Sequence, residues 1–303
     1  MATISAKNNA QYSVRSISLP SRPHPTTAKV DGERNKLKSW ETSSTSSSGS
    51  IWAGISGLEE LYVSVDELLN MASTWPVLSC NQGERFTDEL LDGSVQLIDI
   101  CGSAREILLY VNENVQALRS AIRRRKGDSS IKAEIVGYNN SRKKTKKDVK
   151  GLVSLLKKME ANFGASSLSV LNPTDQHRSA VLRVLREVNS STIMMFQSLM
   201  SFLAPPVSKP KQIRWPLITK LMHKGTISCD RNQEEGNEFE CVDVALSDLS
   251  KCLSRGGADT ERMQITNKLL ENLEVCIGSL EDDMECLYRH LIKTRASLLN
   301  IIS

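Results

Sequence analysis

An uninterrupted series of apolar and threonine side chains closes the sequence and constrains its fold more than any other feature. Steps of three and four residues place such a series on one side of an α-helix. At 1.5 Å per residue, a helix of about 40 residues is about 60 Å long. No small domain is that thick, so we predict that this helix lines a long bundle or a coiled coil. The series, after Asp259, is Thr266, Leu270, Leu273, Ile277, Leu280, Met284, Leu287, Leu291, Thr294, Leu298 and Ile301.

The same period predicts three earlier long helices. The first begins at Ser50 and ends before Pro76. The third covers residues 131–163, with its apolar series interrupted at Arg142 and Thr145. A turn of two or three residues separates it from the second, so we expect these two helices to be antiparallel neighbours. The apolar series of the second helix is Phe86, Leu90, Val95, Ile98, Cys101, Leu108, Val111, Val115, Leu118 and Ile122.

Further helices are predicted after "LNPTDQ" (171–176) and over about 237–255, and no alternating strand pattern of useful length occurs. We therefore predict an all-α protein, an elongated antiparallel bundle of about six or seven helices. Residues 50–303 form the single predicted domain, and its Pro-containing stretch 204–235 is an irregular linker with a short helix. Residues 1–49 are predicted to be a flexible, basic and Ser-rich extension, apart from a short helix over 31–40.

Composition agrees with this class. Aromatic residues make up only 5% of the chain, so the core must be built from Leu, Ile, Val and Met. The seven cysteines are odd in number and form no CxxC motif, which favours buried thiols in a reducing compartment over a disulfide framework.

The sequence favours the cytoplasm, because no run of 18 apolar residues predicts a membrane span. Residues 1–30 contain no Asp or Glu, four Lys or Arg and eight Ser or Thr. This bias is typical of an organelle transit peptide, although a basic tail has it too. The plastid, the nucleus and the membrane periphery are therefore the alternative locations.

Charge is distributed unevenly along the chain. Residues 129–224 carry 17 basic and 5 acidic side chains, a net charge of +12, whereas residues 225–303 carry 8 basic and 15 acidic side chains, a net charge of −7. The two blocks can attract each other within one fold, or the basic block can face an acidic partner.

Two clusters, "RRRK" and "RKKTKK", define a candidate basic surface. Four roles are open: a solvated helix face, a nuclear import signal, an anionic membrane or acidic protein surface, and nucleic-acid contact. The last is not expected, because neither stacking aromatics nor a recognisable module accompanies the clusters. The residues are Arg123, Arg124, Arg125, Lys126, Arg142, Lys143, Lys144, Lys146 and Lys147.

The N-terminal stretch "RSISLP" fits a phosphopeptide template. Arg15, Ser16, Ser18 and Pro20 have the spacing that 14-3-3 proteins bind when the second serine is phosphorylated. Phosphate on Ser18 would add nearly two negative charges for an arginine cluster to bind. The alternative is an extended segment whose apolar residues pack on the bundle.

No catalytic constellation is visible, and we expect neither an enzyme nor a cofactor or metal site. The four histidines, at positions 24, 177, 223 and 290, form no HExxH or HxH motif, and no glycine-rich phosphate loop occurs. The carboxylates of residues 281–285 share one acidic turn without a matching Glu-x-x-His.

Three stretches together carry a family resemblance: "RSISLPSRPHP" (15–25), "SVQLIDICGSAREILLYVNENVQALRSAIRRR" (94–125) and "SLEDDMECLYRHLIKTRASLLNIIS" (279–303). They resemble the signatures of a land-plant family of helical proteins grouped with the BYPASS proteins. The resemblance runs from about residue 15 to the end. It implies regulation of root and shoot development through restraint of a root-derived signal, and no catalytic residues.

Two function hypotheses follow. The first is a non-enzymatic regulatory or scaffold protein that acts through protein–protein interaction, with a phosphorylatable tail as one contact. The second is a peripheral bundle that binds anionic lipid through the basic surface, where each charge contributes about 1 kcal/mol.

Overall fold

The computed structural model of the 303-residue chain describes residues 25–43, 47–79, 84–124, 128–165, 176–205, 237–255 and 260–302. These residues form eight helices and no strand, so the predicted all-α class is confirmed. Among these residues, seven helices remain when the four-residue α3 is set aside, which lies within the predicted six or seven. The helices are α1 (Pro25–Ser43), α2 (Ser48–Leu69), α3 (Trp75–Leu78), α4 (Glu84–Arg123), α5 (Asp128–Ala165), α6 (Gln176–Leu203), α7 (Glu238–Ser254) and α8 (Thr260–Ile302).

Helix α8 is the central rod of the bundle. It contains 43 residues, which corresponds to about 65 Å. Every residue of the predicted series from Thr266 to Ile301 is buried, together with Ile265. Helices α2 and α4 cover this stripe, and α7 packs on the first part of α8.

Helices α4 and α8 are antiparallel. Arg119, near the end of α4, contacts Glu274, near the start of α8, with 2.7 Å between Nη1 and Oε2. At the opposite end, Arg295 of α8 donates to Ser94 Oγ of α4 at 2.8 Å. Residues later in α8 therefore contact residues earlier in α4, as expected for antiparallel helices.

Helix α2 runs parallel to α8, and α5 runs antiparallel to α4. Ser48 Oγ donates to Cys276 Sγ at 3.2 Å near the start of α2, and Lys293 Nζ lies 2.8 Å from Asp66 Oδ2 near its end. The short turn predicted between α4 and α5 indeed joins antiparallel neighbours.

Helix α1 extends the bundle towards the N-terminus beyond the predicted boundary. It begins at Pro25, where a missing N–H costs nothing because the first turn has no intrahelical acceptor for it. Val30 and Leu37 are 1% and 2% exposed against the core. The predicted short helix over 31–40 is therefore part of a longer helix, and the predicted flexible extension is wrong for the other residues of α1. Residues 1–24 lie outside the described residues.

Close contact between α1 and α2 depends on Gly54. The indole N–H of Trp40 donates to Ser50 O at 2.9 Å, which lays the ring across α2. A Cβ on Gly54 would lie 2.5 Å from Trp40 Cζ2 and 2.6 Å from Met195 Sδ. Only glycine leaves room for the ring at this crossing.

The serine tract "TSSTSSSGS" (42–50), which overlaps the end of the predicted flexible extension, has a structural role in its second half. Ser47 is 3% exposed, and its side chain accepts a hydrogen bond from Ser50 N, which caps α2. The Ser48 backbone N–H donates to the Glu238 carboxylate of α7 at 3.0 Å. The mobility predicted for this tract is therefore wrong from residue 47 onwards.

The register of the first half of α4 differs from the predicted apolar series. Leu90, Leu97 and Cys101 face the core, whereas Val95 is 36% exposed and Ile98 is half-buried. A step of five residues from Leu90 to Val95 already departs from helical spacing. Val95 and Ile98 thus form part of the protein surface.

A polar joint holds the end of α6 against the start of α7. Asn237 caps α7 by accepting from Phe239 N at 2.9 Å, and its amide donates to Phe202 O at 2.8 Å. Arg142 of α5 donates to Leu203 O at 2.9 Å. Residues 204 and 205 of the predicted linker 204–235 are described, and the rest of the linker lies outside the described residues.

Candidate interaction surface

Two carboxylates of the acidic turn, Glu281 and Glu285, make structural contacts. Glu281 accepts from Asn112 Nδ2 at 3.1 Å, and Glu285 pairs with Arg105 and Arg289. His290 is half-buried, and the side chains of the other three histidines lie outside the described residues. Across the described ranges, no three His, Cys, Asp or Glu side chains are placed to hold a metal ion.

Four cysteines have thiols whose pKa is raised above the ordinary value. Burial raises the pKa of the Cys101 thiol to about 12. Burial also raises the pKa of Cys241 and Cys276, and the pKa of Cys286 is raised by burial and by the neighbouring Glu59 carboxylate. A raised pKa lowers the fraction of nucleophilic thiolate at neutral pH.

One small cavity lies where α2, α4, α6 and α8 meet. Its volume is about 20 Å³, enough for a single water molecule. Tyr62, Ser94, Asn189 and Thr294 supply the polar part of its lining. The Asn189 amide nitrogen is buried without a hydrogen-bond partner, so a water molecule there would satisfy it.

The outer side of α5 carries a dense positive charge. We call its seven exposed lysines the lysine face. From the first to the last they span 15 residues, or about 22 Å along the helix. Exposed Val136 and Leu155 lie on the same outer side of α5. The lysines are Lys143, Lys144, Lys146, Lys147, Lys150, Lys157 and Lys158.

Within the described residues, the acidic block makes no ion pair with the lysine face. Acidic residues of α8 pair instead with α4, as Arg119 does with Glu271 and Glu274. In the described part of the chain, the one ion pair found on the lysine face joins Lys144 to Asp148, with 4.0 Å between Nζ and Oδ2. An uncompensated positive helix face attracts an anionic partner.

Arg142 does not belong to the predicted basic surface. It is 4% exposed, its guanidinium carbon lies 4.2 Å from the Phe239 ring centroid, and Nε lies 3.6 Å from Asp243 Oδ1. Thr145, one turn on, is 1% exposed. The interruption of the α5 apolar series thus marks a buried polar contact with α7.

The two predicted basic clusters do not form one surface. Lys144 Nζ lies 3.9 Å from the ring centroid of Tyr110, which precedes Arg123 by 13 residues on α4. That offset corresponds to about 20 Å along the helix. Arg123 and Arg124 are exposed at the end of α4, and Arg125 and Lys126 lie outside the described residues.

Sequence reasoning did not single out Lys150, Lys157 and Lys158, although a signal for them exists. They follow Lys143 by 7, 14 and 15 residues, which is close to two helical turns for the first and close to four for the other two. The phosphopeptide residues Arg15, Ser16, Ser18 and Pro20 lie outside the described residues.

Within the described ranges, no helix combines the length and apolar character needed to cross a bilayer. Comparisons with curated proteins and with solved structures found no match. A comparison with protein-family models matched the model described as Protein BPS1 over residues 54–301. Because this match covers most of the chain, the protein belongs to the BPS1 family of BYPASS-related plant proteins.

Proposed function

We propose that this protein is a non-enzymatic regulatory or scaffold protein that binds a partner protein with an acidic surface through the lysine face of α5. The observation that carries the proposal is the charge imbalance of that face, seven exposed lysines with one ion pair among the described residues. Complementary charge across an interface speeds association and excludes wrong partners.

The developmental part of the proposal rests on the family. Membership of a BYPASS-related family supports a role in root and shoot development. In that setting the protein acts by presenting helix surfaces to a signalling partner, and phosphorylated Ser18 supplies a further contact for a 14-3-3 protein. The matched pair Ser18→Ala and Ser13→Ala tests that contact, since Ser18 is the serine that is phosphorylated in the template and Ser13 lies outside the template.

Proximity labelling in root cells tests the main proposal with two variants of equal charge. One carries Gln at four lysines of the face, Lys143, Lys144, Lys146 and Lys147. The control carries Gln at four exposed lysines elsewhere, Lys36, Lys38, Lys251 and Lys268. We expect the first variant alone to lose a partner, and purified components to show at least about tenfold weaker binding. Equal binding of that partner to both variants would contradict the proposal.

The exposed apolar residues Val136 and Leu155 favour a second candidate, a peripheral membrane protein whose lysine face binds anionic lipid. Sedimentation with phosphatidylcholine vesicles, with and without phosphatidylserine, separates the two functions. The membrane function requires binding that depends on phosphatidylserine and is weakened by the four face substitutions. The protein-binding function requires partner capture in the absence of vesicles.

A further inference from the structure

Helix α4 carries a row of carboxylates on its outer side. Five exposed acidic residues follow one another at steps of four and seven residues, which places them on one side of the helix. From the first to the last they span 25 residues, or about 38 Å. We call them the acidic row, and its members are Asp88, Asp92, Asp99, Glu106 and Glu113.

The cations of α4 and α8 along this part of the bundle have partners outside the acidic row. Within the length of the row, α4 contains one basic residue, Arg105, which pairs with Glu285 of α8, as Arg289 also does. Lys293 pairs with a carboxylate of α2, and Arg295 donates to the Leu91 carbonyl and the Ser94 hydroxyl. Among the described residues, no ion pair involves a carboxylate of the acidic row.

The lysine face of α5 lies beside the acidic row. Helices α4 and α5 are antiparallel neighbours, and Lys144 Nζ lies 3.9 Å from the ring centroid of Tyr110. Each step forward along α5 from this contact is a step back along α4, so residues 143–158 lie level with residues 96–111. Asp99 and Glu106 belong to that range. Two rows of opposite charge therefore run side by side along one face of the bundle.

Opposite charges side by side make a surface that is complementary to itself. A two-fold axis that lies in this surface, parallel to the helices, brings α4 of each copy over α5 of the other at the same level. The acidic row of each copy then faces the lysine face of the other. A two-fold axis perpendicular to the helices would place acidic row on acidic row, and like charges in contact are unfavourable. The charge pattern thus selects the parallel axis.

The size of this face suits a dimer. Helix α5 contains 38 residues, or about 57 Å, and two helices side by side are about 20 Å wide. The face therefore measures about 1,000 Å², whereas a standard interface buries about 800 Å² on each partner. Val95 and Leu109 of α4 are 36% and 55% exposed, and Val136 and Leu155 of α5 are 58% and 52% exposed. These side chains supply apolar contacts among the charges.

We propose that this protein forms a homodimer through the face of α4 and α5, with the acidic row of each copy against the lysine face of the other. The inference rests on the proposed function in one respect, that the lysine face binds an acidic protein surface. Because the dimer covers the lysine face, self-association regulates the access of an outside acidic partner to that face. Salt weakens the dimer, because ions screen the charges of both rows.

Charge reversal in the full-length protein tests the dimer. One variant reverses part of the lysine face by Lys147→Glu and Lys150→Glu. A second variant reverses part of the acidic row by Asp99→Lys and Glu106→Lys. Sedimentation equilibrium measures the mass in solution, which is 33.6 kDa for one chain. We expect the unsubstituted protein to form a species of twice that mass, and each variant alone to dimerise at least about tenfold more weakly.

A mixture of the two variants is the decisive measurement. Either variant alone brings like charges together at both contacts of the dimer, whereas the mixed dimer has opposite charges at both. We therefore expect the mixture to dimerise within about threefold of the unsubstituted affinity. The control, Lys38→Glu with Lys251→Glu, reverses two exposed lysines outside the face and should leave the dimer unchanged. Circular dichroism of each variant excludes unfolding as the cause.

Three outcomes would overturn the proposal. They are an unsubstituted protein that stays monomeric at about 100 μM in low salt, a mixture that fails to restore the dimer, and a control that weakens the dimer as much as the reversals do. Failure of the dimer is distinguishable from failure of the proposed function. A monomer that loses its partner through the four Gln substitutions of the lysine face keeps the function alone. A dimer whose partner capture ignores those substitutions keeps the dimer alone.

Discussion

The two halves of the α4–α8 groove share one core but have different rims. Near the end of α4, charged and polar side chains close the rim, as Arg119 does with Glu274 and Asn112 with Glu281. Near the start of α4, Arg295 makes the polar contacts across the rim, to Leu91 O and Ser94, and the apolar side chains of Ile292 and Leu299 beside it are exposed. Beneath both halves the α8 series is buried without a break. The comparison teaches that one unbroken buried series can carry two different rims, because the burial of the series does not depend on the residues exposed beside it.

The largest expected effect tests the shared core. Leu280 lies beneath the half near the end of α4 and Leu291 beneath the half near its start, and they are 1% and 3% exposed. Replacing either by Ala should lower the free energy of unfolding by about 3 kcal/mol, because each leaves a cavity. Urea unfolding measures both. A loss at Leu291 below about 1 kcal/mol would show that the half near the start of α4 is not packed as a core.

The next effect concerns the closed rim. Arg119 contacts Glu271 and Glu274 at 2.6 and 2.7 Å with only 19% of its side chain exposed. Arg119→Ala should cost about 1 kcal/mol in low salt and less at high salt, because ions screen the pairs. Unfolding at two salt concentrations checks this. A cost that does not change with salt would mean that packing of the side-chain stem matters more than its charge.

A smaller effect distinguishes two carboxylates of the same rim by pH. Partial burial raises the pKa of Glu281, opposed by the hydrogen bond from Asn112, so the folded state holds a proton more tightly. This contribution to stability therefore increases as the pH falls from neutral through the folded pKa, and levels off below the unfolded value near 4.5. Glu281→Gln should remove that gain, which pH-dependent unfolding would detect.

The contribution of Glu271 to stability should change with pH in the opposite direction, so Glu271 serves as the control. A hydrogen bond from Lys268 and the charge of Arg119 lower its pKa, so its contribution is present above the unfolded value and is lost as the pH falls through the folded pKa. Glu271→Gln should therefore weaken the acid-induced loss of stability. If both substitutions changed the pH dependence of the free energy of unfolding in the same direction, this distinction would be contradicted.

The smallest expected effect is on the rim near the start of α4. Ile292→Asn should change the free energy of unfolding by less than about 0.5 kcal/mol, because the side chain is 44% exposed. Chemical denaturation of the full-length protein measures it. A loss near that of Leu291→Ala would mean that the groove is covered in the native state by more than solvent.

Long regular patterns were readable from the sequence, and short or interrupted ones were not. The α8 series was predicted completely because its spacing never varies. Helix α1 was missed as part of the bundle because it buries few residues, among them Val30 and Leu37, and the rest of it is polar. The position of Val95 was misread although the step of five residues from Leu90 departs from helical spacing.

The exposure of the basic surface could be predicted for its lysines but not for Arg142. Runs of lysine indicate exposure, and the described lysines of "RKKTKK" are exposed. The same run contains Arg142, whose burial depends on Phe239 and Asp243, about 100 residues away in the chain. The 20 Å offset between the two clusters follows from the register of α4 against α5, which no local pattern encodes.

The joint between α6 and α7 has a practical consequence. Asn237 and Arg142 donate hydrogen bonds to the end of α6, and Asn237 also caps the start of α7. These contacts hold the two helix ends together without involving the residues that connect α6 to α7. A fluorescent reporter grafted between residues 205 and 237 would therefore start and finish at neighbouring points. Both ends of the reporter would connect to neighbouring helix ends. The position of the protein in living cells could then be followed with a reporter inserted within the chain.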